Sequence, residues 1–215
     1  MTGPHVQVIA SGAATRPVAE LVADLVVCAD GGVAVALASG RAVDLVVGDL
    51  DSAEPADLAT VEAAGGTISG HPVDKDESDL ELALDAAAGR GASRITVHLA
   101  DGGRLDHQLA NLMVLASSRW SPSVVDAWVG HDRVWVVRDE LETMLPVGEL
   151  VAIQAVGGSA RVTTEGLAFP LRDEQLAPTE ARGIANRVLA SPVRVAVRGG
   201  VVLVIRPGGQ SAHAT

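Results

Sequence analysis

Through its first 140 or so residues the chain alternates apolar, β-branched runs with alanine-rich stretches of helical period, and this alternation narrows the fold more than any other feature. VQVIAS, DLVVCA, DLVVGD and RITVHLA predict strands; PVAELVAD, GVAVALASG, ADLATVEAAG, SDLELALDAAAGRG and DHQLANLMVLASSRW predict helices. Strands joined by helices build a mostly parallel sheet with helices packed on it, and strands apolar along their whole length suit a sheet buried on both faces. Around residue 140 the pattern changes. VVDAWVG, RVWVVRD, ELVAIQAV, ARVTTEG, PVRVAVRGG and VVLVIRPGG are short, often alternating, and separated by glycine turns. The expected organisation is therefore α/β. A Rossmann-like, mostly parallel sheet with flanking helices covers 1–140, a smaller antiparallel β-sandwich covers 141–207, and a flexible tail covers 208–215. The seam between the domains is expected between residues 138 and 149.

Composition removes several classes of function. Asp and Glu outnumber Lys and Arg by 27 to 16, for a net charge of -11, which argues against broad binding to nucleic acid or an anionic membrane surface. A phosphorylated small molecule stays possible, since a metal ion can supply the missing positive charge. The single cysteine, Cys28, lies in the apolar run LVVCAD with nothing basic beside it. It reads as a core residue, and no internal disulfide can form. No basic-then-apolar leader precedes the first strand and no run is long enough to span a bilayer, so a cytoplasmic protein with no membrane partner is expected. With no Tyr, one Phe and three Trp, the core must be built from Ala, Val and Leu.

Four acidic or glycine-rich stretches fall where strands run into helices, the edge at which open parallel sheets place their ligand crevice. They are ADGG (29–32), GDLDS (48–52), DKDESD (74–79) and DGGRLDH (101–107). On an extended chain Asp49 and Asp51 would share one side, with α-carbons about 6–7 Å apart. Carboxylate oxygens at ~4 Å repel by about 4 kcal/mol at an effective dielectric near 20, so the pair is either an exposed turn or a cation site. In DKDESDLELAL, Asp76 can cap the helix and Asp79 falls in its first turn. Ser78 offers a hydroxyl and an N–H at the same helix start, and Lys75 can reach a phosphate or remain solvated. Leu80, Ala83, Leu84 and Ala87 form that helix's buried stripe.

In the last stretch Gly102 and Gly103 allow close backbone approach, Arg104 offers a fork of donors for phosphate oxygens, and Asp106 can cap the next helix. Leu109, Leu112, Met113 and Ala116 are expected to face its core side. His107 and Asn111, four apart, share a face near the helix start, where His107 serves either as a loop-bonded residue or in chemistry. His5, His71, His98, His131 and His213 have no ligand spacing, which leaves no zinc site. An oxygen-only carboxylate cluster prefers magnesium, and magnesium with arginine and glycine-rich loops suits transfer of a phosphorus group from a nucleotide.

CADGG, VDLVVGDLDS, DKDESDLELAL and GGRLDHQLAN stand in the order and spacing of the thiamine pyrophosphokinase family, and VTTEGLAFPL followed by GIAN resembles that family's β-domain signature. The resemblance covers nearly the whole chain. It implies transfer of the terminal diphosphate of ATP to the hydroxyl of thiamine, giving thiamine diphosphate and AMP with Mg2+. It also implies a homodimer whose cleft joins the α/β domain of one subunit to the β domain of the other. Carried over by motif, Asp49, Asp51 and Asp79 would hold magnesium. Asp30, Gly31, Gly32, Lys75, Asp76, Ser78 and Gly103 would line the nucleotide. Arg104 and Asp106 would contact the diphosphate or the attacking hydroxyl, with Asp106 or a cluster carboxylate taking its proton. His107, Asn111, Phe169 and Asn186 would meet the acceptor; Phe169 would stack on its ring or serve as a core aromatic.

Ala34 and Ala185 depart from the family pattern, which has Asn and Ser there. The departures keep a non-catalytic nucleotide or thiamine diphosphate sensor in play, beside a same-chemistry rival, a pyrophosphokinase for another ring-bearing alcohol such as a hydroxymethylpterin. A haloacid dehalogenase-like phosphatase is a third, because DLDS after an apolar strand resembles that family's nucleophile loop. There, however, the aspartate follows the first strand.

Overall fold

A computed structural model describes residues 2–208; all of the expected tail but its first residue, 209–215, lies outside the described residues. The chain divides into two compact units. The first comprises Met1–Val114 and Arg119–His131, and the second Leu115–Ser118 with the chain from Asp132 onward.

In the first unit, strands β1 (His5–Ile9), β2 (Leu25–Ala29), β3 (Leu45–Gly48), β4 (Thr67–Gly70), β5 (Arg94–Leu99) and β6 (Val124–Val129) pair in the order β6-β5-β1-β2-β3-β4. Every pairing is parallel. The helices between them are α1 (Thr15–Glu20), α2 (Gly32–Ala38), α3 (Pro55–Ala63), α4 (Asp79–Gly89) and α5 (Leu105–Leu115). Ile9, Val26, Cys28 and Val46 pack on one face with Val18, Val33, Ala36 and Val61 from α1, α2 and α3. α4 packs against β1, β2 and β3 through Leu80, Ala83, Leu84 and Ala87, all buried as its period predicts. Because strand side chains alternate between faces, a sheet buried on both sides must be apolar at successive positions, which is why LVVCA and LVVG read as unbroken runs. Burial, with the negative charge of Asp44 nearby, pushes the Cys28 thiol well above its ordinary range and leaves it inert.

Three elements differ from the sequence reading. β4, TISG, is an edge strand with little burial, so it lacks the apolar run that marks the others. VVDAWVG, grouped above with the β-rich part, pairs in parallel with β5 as β6. α5 ends at Leu115 and a 3-10 turn follows at Ser118–Trp120; Leu109 and Met113, expected on its buried side, are exposed.

The same sheet carries a polar row. His5 Nε2 lies 2.9 Å from Thr96 Oγ1, which donates to Asp126 Oδ1 at 2.7 Å, while Arg94 pairs with the other Asp126 oxygen. Gln7 donates to Val18 O at 3.0 Å and lies 3.1 Å from His98 Nε2. Gln7, Thr96, His98 and Asp126 are buried, and mutual bonding offsets their desolvation.

The second unit holds two antiparallel sheets. Strands β7 (Asp132–Val137), β9 (Leu150–Val156), β12 (Asn186–Arg187) and β14 (Val201–Arg206) pair in the order β12-β9-β14-β7. Strands β8 (Glu140–Thr143), β10 (Ala160–Glu165), β11 (Glu174–Leu176) and β13 (Val193–Arg198) pair in the order β11-β10-β13-β8. β7 and β8 both join antiparallel partners, so the continuous stretch of this unit starts at Asp132, ahead of the expected 138–149 seam. VRVAVR in β13 alternates strictly between buried and exposed, and its Val193, Val195 and Val197 pack with Val151, Ile153, Val202 and Val204 of the other sheet. Opposed charges, Arg194 with Glu142 and Arg161 with Asp173, cover the solvent face. Among the described residues, no helix is long and apolar enough to cross a membrane.

Candidate active site

The carboxylates gather where β2 and β3 end. β3 stops at Gly48, and Leu50 has a left-handed φ of 65°, so Asp49 and Asp51 stand on a turn and not on an extended strand. The Asp51 N–H donates to Asp49 Oδ1 at 3.3 Å, an Asx-type closure that brings the pair together. The expected proximity is present, but turn geometry produces it in place of strand alternation. Ser52 donates its hydroxyl to Asp51 Oδ1 at 2.9 Å and serves as a turn residue.

Asp30 completes the group. It follows β2 with φ 44°, its N–H donates to Val47 O at 2.9 Å, and its Oδ1 accepts from the Ser52 N–H at 3.3 Å. One carboxylate oxygen from each of Asp30, Asp49 and Asp51 lies within 4.8 Å of the others. A non-glycine residue in left-handed conformation costs on the order of 1 kcal/mol, and two such residues within one cluster mark a backbone held for a purpose other than packing.

Asp79, expected as the third metal-holding carboxylate, stands beside this group and is paired with Lys75. It opens α4, and Lys75 Nζ lies 3.0 Å from its Oδ1 and 3.3 Å from Asp49 Oδ2. Lys75 is therefore the counter-ion between two carboxylates, its side chain only 12% exposed, and not a solvated cation. The Asp51 N–H first, and then Lys75, hold the Asp49 carboxyl below its ordinary range against an opposing effect of burial. Burial pulls the Lys75 ammonium down, but its bonds to Asp79 and Asp49 outweigh this and raise it. Gly48 lets these groups meet: a Cβ there would lie 3.0 Å from Asp79 Oδ1 and 3.1 Å from Asp30 Cβ. Gly31 and Gly32 follow Asp30 into α2, and Gly32 sits so close to β1 that a Cβ would strike Ile9 O at 2.0 Å.

Ser78, and not Asp76, caps α4. Its hydroxyl accepts from the Glu81 N–H at 3.3 Å while Glu81 Oε2 accepts from the Ser78 N–H at 3.0 Å, a reciprocal capping box. Asp76 is exposed in the preceding loop. Glu81 was missed by the sequence reading although S-x-x-E is its ordinary signal; Gly48 was missed because nothing in VVGD announces a close approach.

DGGRLDH forms an exposed loop and helix start. Gly102 and Gly103 have φ of 87° and 78° with open space where a Cβ would be, so they serve the turn and not close packing. Asp106 lies inside the first turn of α5 and is not its cap. Arg104 reaches it at 3.1 and 2.6 Å, and the His107 N–H donates to it at 3.0 Å. The Arg104 guanidinium first, with help from that N–H, holds the Asp106 carboxyl down to about 2. Among the described residues, no hydrogen bond or ion pair ties Arg104, Asp106, His107 or Asn111 to the carboxylate cluster.

In the second unit Phe169 is 71% exposed, which removes the core-aromatic reading, while Asn186 is 4% exposed and bonds to the Phe169 main chain.

The fold and site together define an α/β protein with a cluster of acidic oxygens at parallel strand ends, beside a lysine and a capped helix start. Residues 21–125, just under half of the chain, match the family model of the thiamin pyrophosphokinase catalytic domain. It is 35% identical over 68 residues to the thiamine pyrophosphokinase of Bacillus subtilis, a stretch covering 32% of each protein. In fold it is similar to the crystal structure of thiamine pyrophosphokinase from Bacillus subtilis, with TM-score 0.82, 19% identity, and coverage of 96% of this chain and 100% of that one. The thiamin pyrophosphokinase of Candida albicans is similar at TM-score 0.74 and 15% identity, over 95% of this chain and 89% of the other.

Replacing Arg104 with Ala is expected to return the Asp106 pKa from about 2 to the ordinary ~3.9. Carboxyl chemical shifts followed by NMR between pH 1.5 and 6 would show this. Because the folded value is depressed, any stability from the pair is present above ~pH 4 and lost as the pH falls toward the folded value. An unchanged midpoint in the variant would contradict the pairing.

Proposed function

We propose that the protein transfers the diphosphate of ATP to the hydroxyl of thiamine, releasing thiamine diphosphate and AMP. The observation that carries this reading is the convergence of Asp30, Asp49 and Asp51 at the ends of β2 and β3, inside the segment that matches the catalytic-domain family. Three oxygen donors within 4.8 Å suit a hard divalent cation, so the residues fit magnesium, with Asp30 in the place first given to Asp79. Bound there, magnesium would neutralise charge on the phosphates.

In the transfer, the acceptor's hydroxyl oxygen bonds to the β-phosphorus, the bond from that phosphorus to the α,β-bridging oxygen breaks, and AMP leaves with that oxygen. Lys75, now shared by Asp49 and Asp79, is placed to exchange a carboxylate for a phosphate oxygen; Arg104 can do the same by leaving Asp106. While Arg104 holds it, Asp106 is a poor proton acceptor, and Asp49, held down by the Asp51 N–H and Lys75, is no better. Phe169 offers the flat apolar face for the acceptor ring.

The same reading includes a homodimer. Leu105, Leu109 and Met113 repeat every four residues along α5 and are all exposed, an apolar stripe that a second copy would cover. A cytoplasmic location is consistent with the single, buried Cys28.

Incubation with Mg2+, ATP and thiamine should yield AMP and thiamine diphosphate in equal amounts, and Asp49→Asn or Asp51→Asn should lower kcat by about a hundredfold or more while the protein stays folded by circular dichroism. Near-normal turnover of either variant at saturating magnesium, or AMP release without thiamine, would defeat the proposal. Sedimentation velocity should give a species of twice the chain mass that dissociates on Leu109→Glu; a monomeric parent protein would remove the dimer.

A further inference from the structure

Phe169 is the one phenylalanine of the chain, and it stands outward from a loop that is otherwise tied down. Leu167 and Leu171 on either side of it are buried. Leu167 bridges to Val188, the Ala168 N–H donates to Arg187 O at 2.8 Å, and the Leu189 N–H donates to Gly166 O at 2.8 Å. At the other end the Leu171 N–H donates to Thr164 Oγ1 at 2.9 Å, and the Thr164 N–H to Leu171 O at 3.0 Å. What remains between these ties is the main chain of Phe169 and of Pro170, which has no N–H to donate.

Asn186 fills that gap. Its Oδ1 accepts from the Phe169 N–H at 3.0 Å and from the Arg187 N–H at 2.9 Å, and its Nδ2 donates to Phe169 O at 2.8 Å. One side chain thus supplies both halves of a missing ladder rung. Among the uncharged side chains, Asn and Gln alone carry donor and acceptor at that spacing, and the shorter Asn reaches with fewer torsions to fix. With Asn186 4% exposed and both its amide ends spent on main chain, it has no face to offer a ligand. Ala185, held at φ 54° just before it, turns the chain so that the side chain points inward.

We infer that Asn186 is a positioning residue: it locks the Phe169 main chain so that the exposed ring is presented in one orientation to the flat ring of the acceptor. This rests on the reading of Phe169 as the acceptor contact given above. An exposed aromatic on a loose loop would fold down over neighbouring apolar surface, and a ligand would have to lift it first. Fixing the loop beforehand removes that ordering cost from binding.

The test uses the full chain with Asn186→Ala, Asn186→Asp, Phe169→Ala and the double variant Asn186→Ala/Phe169→Ala. Phe169→Ala and Asn186→Ala are each expected to raise the thiamine KM about five- to tenfold with the ATP KM unchanged. The double variant is expected to be no worse than Phe169→Ala, since Asn186 acts only through that ring. Amide hydrogen exchange of residues 167–169, measured independently of turnover, should quicken in both Asn186 variants. Asn186→Asp keeps the acceptor half of the clamp and serves if the alanine variant does not fold. Unchanged exchange at 167–169, or an Asn186→Ala effect of equal size in the Phe169→Ala background, overturns the inference. A normal thiamine KM in Phe169→Ala with faster exchange in the Asn186 variants instead overturns the acceptor reading, and with it the functional half of the inference.

Discussion

Mutual repulsion among the carboxylates at the ends of β2 and β3 is the constraint around which the first unit is arranged. Three oxygens within 4.8 Å, with Asp79 alongside, would drive one another apart without compensation. Lys75 supplies part of it, bridging Asp49 and Asp79. The rest is rigidity: Asp30 is kept in left-handed conformation by its ladder bond to Val47 O, the turn at Leu50 is closed by the Asp51 N–H on Asp49 Oδ1, and Gly48 gives up a side chain so that Asp30 and Asp79 can approach. A parallel sheet buried on both faces is suited to this, because it fixes its strand ends to within the tolerance such a cluster needs.

Much of this was legible in the residues, and the reasons for what was not are physical. The positions of strands and helices followed from period and burial, which is why α4 and its stripe of Leu80, Ala83, Leu84 and Ala87 agree with the pattern. β4 did not, because an edge strand needs no apolar run. The α5 stripe of Leu109 and Met113 carries the same period as a core-facing helix yet is exposed; period reports that an apolar face exists, not what covers it. Within the site, acidic motifs told which loops converge but not how the carboxylates are shared. Asp79 and Asp30 stand on different elements, and only three-dimensional placement shows that Lys75 engages the former while the latter joins Asp49 and Asp51. Capping of α4 fell to Ser78 and not Asp76 because the capping box with Glu81 satisfies two N–H groups where a lone aspartate satisfies one.

The second unit answers a different demand. The sheet of β8, β10, β11 and β13 is wet on one face and dry on the other, with valine in the core and paired charges outside, while Val202, Leu203 and Val204 of β14 are buried in succession, so most of the unit's sequence is explained by packing. Phe169 is the one aromatic among its exposed large apolar residues, which also include Met144, Val147, Ile184 and Leu189. A large apolar ring left in solvent by a fully bonded loop has no structural return, and its exposure is the reason to give it a ligand.

The central claim is that Asp30, Asp49 and Asp51 form one cation and nucleotide site while the equally acidic Asp76 does not belong to it. Isothermal titration with ATP in the presence of magnesium tests this most directly. The account predicts that Asp30→Asn and Asp51→Asn each weaken binding by about tenfold or more while Asp76→Asn leaves it unchanged. Equal affinity in all three variants, or a loss in Asp76→Asn that matches the others, would contradict it.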